Sequence, residues 1–249
     1  MRITLFLSSC LLLAGAHAAE VKRVDARTIA FDGSITAGDA AKLAQAWAPG
    51  TTLLRVTSVG GSSEEAMIMG RFIHDKGLDI EIVRGCASSC ANYMFPAARH
   101  KTITPGAILG YHGTGYLTEL AGVDSLREDL LAGGMAPDEV KKQLPGLHDY
   151  VVRIARMEQE FTRYIGLNPQ FYRDFKTVAE KGDALDKQYA AQKATFLWWP
   201  SARRLEQCYG IRNVNDQARP AALESTGHAF VTKGAFLLVG DQFLAGCGS

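Results

Sequence analysis

Three short segments carry the residue types best suited to chemistry: Ser58-Val59-Gly60-Gly61-Ser62, Gly85-Cys86-Ala87-Ser88-Ser89-Cys90 and Tyr111-His112-Gly113. A serine hydroxyl becomes a useful nucleophile when a positioned base removes its proton, and histidine is the side chain suited to that task near neutral pH. The second segment offers Ser88 as nucleophile, with Ser89 as the alternative register because both serines lie in one turn. The Ser89 backbone N–H and the amides near Gly61 can then share a developing oxyanion. His112 supplies the base. Each segment also has an ordinary structural use, since paired glycines make turns and a serine caps a helix. Their order and spacing as a set point to a serine hydrolase.

The elements around these segments explain how they meet. Thr28-Ile29-Ala30-Phe31 predicts a strand ended by Asp32-Gly33, and Ala37 to Trp47 predicts a helix stopped by Pro49-Gly50. Leu53 to Thr57 predicts a strand that runs into Gly60-Gly61, and Glu64 to Lys76 a helix closed by Gly77. The pattern repeats, with a strand over Leu78 to Val83, a small-residue turn over Gly85 to Cys90, a short buried helix over Ala91 to Ala98, and a strand over Ala107 to Tyr111. Strands alternating with helices imply parallel crossover units, whose ligands bind at the carboxyl ends of the strands. All three chemical segments belong at that edge. Beyond them, residues 124 to 195 read as mostly helical, with Val151, Ile154, Met157, Phe161 and Ile165 on one face and interruptions near Gly133-Gly134, Pro145-Gly146 and Asn168-Pro169. The last part, with Phe236-Leu237-Leu238-Val239, predicts a short helix and small strands packed on the main body.

This arrangement resembles the Clp-protease/crotonase superfamily, and in particular exported bacterial Clp-like serine peptidases that carry a Cys-Ala-Ser-x-Cys turn. Phe31-Asp32-Gly33-Ser34-Ile35, the strand with Gly60-Gly61-Ser62, Cys86-Ala87-Ser88-Ser89-Cys90, the Arg99 to Pro105 link and the strand ending at His112 occur in the family's order. The similarity covers residues 28 to 115 well, the helical stretch loosely and the last fifty residues hardly at all. It implies an α/β fold with a parallel sheet, crossover helices and spiral ββα units. It also implies Ser88 as nucleophile, His112 as base, the amides of Gly61 and Ser89 as oxyanion donors, no cofactor, and assembly into trimers or larger rings through helices after His112. The chain departs from the family at the acid of the triad. The matching position falls near Ala194, ahead of Phe196-Leu197-Trp198-Trp199-Pro200, and holds no carboxylate. Asp174, Asp183 and Asp186 lie upstream as possible third members. Without an orienting acid, a Ser-His pair can lose several powers of ten in rate.

Composition bounds the remaining choices. The chain has 249 residues, 47% hydrophobic and 21% charged, the balance of a folded globular protein. Lys plus Arg number 27 against 26 Asp plus Glu, so nothing in the net charge argues for nucleic acid. Arg2, the apolar run Ile3 to Leu13 and Ala16-His17-Ala18 form a signal-peptide pattern over residues 1–18. Leu7-Ser8-Ser9-Cys10 offers a lipidation box as an alternative, and a membrane anchor is disfavoured because the run falls short of the roughly 20 residues a bilayer span needs. The mature protein is then a single domain, residues 19–249, in the periplasm or secreted, with no stable membrane insertion. Removing Cys10 from the 5 cysteines leaves Cys86, Cys90, Cys208 and Cys247, an even set bound for an oxidising space. All three connectivities stay open, Cys86 with Cys90 and Cys208 with Cys247 having the shortest loops. No metal site is expected, because no second close cysteine pair or matching histidine pair completes a zinc set. The function is thus a hydrolase, most simply a peptidase acting on a peptide or protein, or a binding or scaffold protein that kept the fold. A crotonase-like acyl-CoA enzyme stands last, since an exported protein does not normally meet CoA.

Overall fold

The computed structural model describes residues 18–188, 195–225, 230–231 and 236–247, the side chains at 183–188, 195, 224–225 and 230–231 excepted. The expected leader therefore lies outside the described residues except for Ala18, and so does the position near Ala194. The main sheet has the order β1 (Glu20–Arg23), β2 (Thr28–Asp32), β3 (Leu53–Ser58), β4 (Asp79–Ala87), β5 (Lys101–Ile103), β8 (Val214–Asp216), with β6 (Ile108–Gly110) pairing β4. Every pairing is parallel except β1 with β2. Ile29, Phe31, Leu54, Val56, Ile80 and Ile82 alternate along their strands and are buried on one face of the sheet, while the other face carries the Arg55–Glu81 ion pair.

Helices α1 (Asp39–Ala46) and α2 (Ser63–Lys76) follow β2 and β3. The Ser62 hydroxyl caps α2 by accepting from the Glu65 amide, and Gly77 ends it at φ 58°, a left-handed closure that suits glycine. Gly70 in α2 lies so close to the Tyr93 carbonyl and the Phe161 ring that a Cβ would stand 2.6 and 2.7 Å from them. Helix α3 begins with π-wound Cys90–Met94 and ends with α-helical Phe95–Ala97. The long helices α4 (Gly115–Ala132) and α5 (Pro137–Ile165) pack Leu126 and Leu130 against Val140, Leu144 and Val151, and α6 (Gln170–Gln188) follows. After α6 come β7 (Thr195–Trp198), α7 (Ala202–Tyr209), α8 (Ala222–Ser225), β9 (Phe230–Val231) and β10 (Phe236–Val239), with a small sheet in the order β7-β10-β9.

Three elements differ from the sequence expectation. Strand β4 runs through Cys86 to Ala87 because these residues pair with Leu109 and Gly110 of β6, while its first half pairs with β5. The segment Lys101–Ile103, expected as a link, is strand β5, and its lysine is 3% exposed with Nζ donating to the carbonyls of Ala98 and Arg212. Burial pushes the Lys101 ammonium down to about 8. The break expected at Pro145 does not occur: α5 passes through it, the lost backbone donor being offset by apolar burial at Leu144 and Val151 on either side. The expected stops at Gly133-Gly134 and Asn168-Pro169 do separate α4, α5 and α6.

Candidate active site

Ser88 stands where β4 ends and α3 begins, in a left-handed conformation at φ 56°. That region costs an L-residue roughly 1–3 kcal/mol and persists only where the surroundings enforce it. Here they do. The Ser88 amide donates to Gly110 O at 3.0 Å, the Asn92 amide donates to Ser88 O at 2.8 Å, and Cys86 and Cys90 are bonded across the turn with Cα atoms 5.3 Å apart. Both cysteines are fully buried, so the bridge braces the turn from inside. A strained strand-to-helix turn that displays a serine is the geometry of a nucleophile elbow.

The glycine segment packs directly onto this turn. A Cβ on Gly60 would lie 2.6 Å from Ser88 Cβ and 2.7 Å from Ala87 O, and one on Gly61 would lie 2.1 Å from Ile35 O. Only glycines permit both approaches. Ile35 and Ser62 fix the strip, the Ile35 amide donating to Gly60 O and the Ser62 amide to Ile35 O. The Gly60 amide donates to Ser58 Oγ, and the Gly61 amide donates to Ser89 Oγ at 2.8 Å. Ser89 Oγ in turn donates to Gly61 O at 3.0 Å, so one buried hydroxyl laces the two segments together. The Gly61 N–H expected as an oxyanion donor is thus held by Ser89 in this state. The sequence offered Ser89 as an oxyanion-donating amide or as the alternative nucleophile, and nothing local in it pointed to this lacing role of the hydroxyl.

His112 follows β6 and reaches the same edge. Its neighbour Tyr111 is bridged to Trp198, each amide donating to the other's carbonyl at 2.8 Å. The Tyr111 ring lies in an aromatic cluster with Phe171, Phe175 and Trp198. Burial lowers the His112 pKa from its ordinary 6.5, which keeps the imidazole neutral and able to accept a proton at pH 7. The Ser88 backbone touches β6 two residues before His112, yet among the described residues neither Ser88 Oγ nor the His112 ring makes a hydrogen bond.

The suggested acids are placed as follows. Asp174 is committed elsewhere, accepting from Arg204 at 2.7 Å and from the Tyr209 hydroxyl at 2.6 Å. Asp183 and Asp186 sit on the last turns of α6, and their side chains lie outside the described residues. A residue missed in the sequence is Asn92, one turn into α3. It is 6% exposed, its Nδ2 donates to Gly113 O at 3.0 Å beside His112, and its Oδ1 has no partner among the described residues. Glu158 of α5 is a second: fully buried, it accepts from the Tyr93 hydroxyl and, at 2.5 Å, from the Tyr116 amide at the start of α4. Burial raises its carboxyl to about 7. No group of metal-binding residues occurs among the described residues, nor any helix long and apolar enough to cross a membrane.

No model of a known protein family matches the chain, and no curated protein matches it. Among solved structures, it is similar to a ClpP1 mutant from Listeria monocytogenes at 17% identity, covering 48% of this chain and 80% of that one, with a TM-score of 0.32. It is also similar to an enoyl-CoA hydratase from Mycobacterium avium subsp. paratuberculosis, at 13% identity over 72% of this chain and 89% of that one, TM-score 0.31. A methylmalonyl CoA decarboxylase gives 12% identity over 71% and 95% of the two chains, TM-score 0.31.

Proposed function

We propose that the chain is an exported serine hydrolase of the Clp/crotonase-like type, most simply a peptidase, in which Ser88 forms an acyl-enzyme and His112 is its base. One observation carries this reading: a disulfide-braced serine held at φ 56° on a strand-to-helix turn, with Gly60 in backbone contact on one side and the strand leading to His112 hydrogen-bonded on the other. The chemistry follows from the parts. His112, neutral through burial, takes the Ser88 proton as Oγ attacks the acyl carbon, and then returns it to the leaving group. The oxyanion is met by the Ser89 amide and by the Gly61 amide once Ser89 Oγ turns away. Self-association through the helices after His112 belongs to the same reading, and sedimentation velocity reports it.

The test is reaction with a fluorophosphonate probe, followed by mass mapping of the labelled peptide. Ser88→Ala should abolish labelling, whereas Ser89→Ala should retain it, with the Gly61 N–H released. Labelling lost in Ser89→Ala and kept in Ser88→Ala would move the nucleophile by one residue. A second reading, a binding protein that kept the fold without efficient chemistry, is favoured by the absence of a carboxylate partner for His112 among the described residues and by the Ser89 hold on Gly61. Folded wild-type protein that never labels would establish it.

A further inference from the structure

A cavity of about 440 Å³ opens between α4, α5 and α6, and nothing in the proposed hydrolytic chemistry uses it. Its wall is apolar and aromatic. Tyr116 and Tyr172 meet edge to face with ring centroids 5.2 Å apart, and Leu120 is 48% exposed beside them. The Tyr172 hydroxyl is engaged with Thr162 Oγ1 at 2.8 Å, so that residue offers the cavity its ring rather than its polar tip. Around this wall stand three cationic side chains, Arg163 from α5 and Arg173 and Lys176 from α6. Lys176 is paired with Glu180. Arg163 and Arg173 are exposed and, among the described residues, have no carboxylate within ion-pair distance. Glu158, next in the chain to the lining residue Gln159, answers neither of them, because it is buried on Tyr93 and the Tyr116 amide.

Two uncommitted guanidinium groups beside an apolar wall define a complementary ligand. A planar fork of donors matches a carboxylate or sulfonate, and the exposed leucine and tyrosine rings match a hydrocarbon or aromatic body. The volume falls within the roughly 300–1,000 Å³ of small-molecule sites. We infer that the α4-α5-α6 cavity binds a small amphiphilic carboxylate, its anionic group between Arg163 and Arg173 and its apolar body against Tyr116, Leu120 and Tyr172. The inference is independent of the chemistry at Ser88.

The experiment uses the mature protein and the fluorescent probe anilinonaphthalene sulfonate, whose emission rises in an apolar site, with decanoate as competitor. Decanoate should displace the probe, while decanol of the same chain length should do so far less. The double variant Arg163→Gln/Arg173→Gln should weaken decanoate by roughly tenfold or more, as the loss of charge-assisted contacts at an exposed rim implies. Leu120→Glu, at an exposed position that leaves the core intact, should abolish probe binding by placing a like charge on the wall. Displacement by decanol equal to that by decanoate, or decanoate binding unchanged in the double variant, would overturn the inference, as would wild-type protein that does not bind the probe.

Discussion

Ser88 holds a conformation that glycine would adopt more readily, and this makes strain at the turn measurable apart from chemistry. Alanine keeps the Cβ that disfavours φ 56°, while glycine removes it. Ser88→Gly should therefore be more stable than Ser88→Ala by about 1 kcal/mol, with both inert toward the probe. Equal urea midpoints would show that the turn holds no such strain. His112 permits a second test at this scale. A base works in its neutral form, and burial moves the imidazole below 6.5, so the labelling rate should fall on acidification with a midpoint below 6.5. A midpoint at or above 6.5 would contradict the buried-base assignment. That the Gly60-Gly61 strip, the Ser88 turn and the strand leading to His112 lie side by side was legible in the sequence, because each segment follows a parallel strand of one sheet. Asn92 and the Ser89 hydroxyl were not, since their partners Gly113 and Gly61 come from distant segments that only the fold brings near.

At the scale of elements, the start of α4 decides where the chain goes after His112. Thr114 caps that helix by accepting from the Leu117 amide, and Glu158 reaches across from α5 to accept from Tyr116. A buried carboxyl with a raised pKa has a definite linkage sign. Its stabilising share is complete below the ordinary 4.5 and is lost as pH rises through about 7, where the folded protein must bury a charge. Glu158→Gln carries no titrating group, so its stability relative to wild type should grow between pH 4.5 and 7, by up to roughly 3 kcal/mol, and then level off. Urea unfolding of both proteins at pH 5 and pH 8 measures this, and a difference that shrinks with pH would reverse the sign. Elements escaped the sequence reading for comparable reasons. Strand β5 was hidden by Lys101, a charged residue whose burial depends on carbonyls at Ala98 and far-off Arg212. Pro145 suggested a break because its missing donor is a local property, whereas the packing of α5 on α4 is not.

Over the whole molecule, the alternation of strand, glycine turn and helix made the parallel sheet readable from residue 28 to His112. The closing of that sheet by β8 was not readable, because Lys101 pairs with Val214 across more than a hundred residues and no periodicity records it. The two disulfides divide along the same line. Cys86–Cys90 closes a separation of 4 residues inside the candidate site, and Cys208–Cys247 ties α7 to the chain's last described residue over a separation of 39. Cross-linking restricts the unfolded chain more for longer loops, by about 4 kcal/mol for a loop of this larger size if entropy alone acts. Replacing Cys208 and Cys247 together by alanine should therefore cost roughly 2–4 kcal/mol of stability and leave the probe-labelling rate of the folded protein nearly unchanged. Replacing Cys86 and Cys90 should do the reverse, taking less stability through the unfolded state but slowing labelling, since the brace that holds Ser88 left-handed is gone. Paired unfolding and labelling measurements on the two double variants decide the matter. If both bridges affect stability and labelling in the same proportion, the Cys86–Cys90 bond is a general staple and not a support for the serine turn.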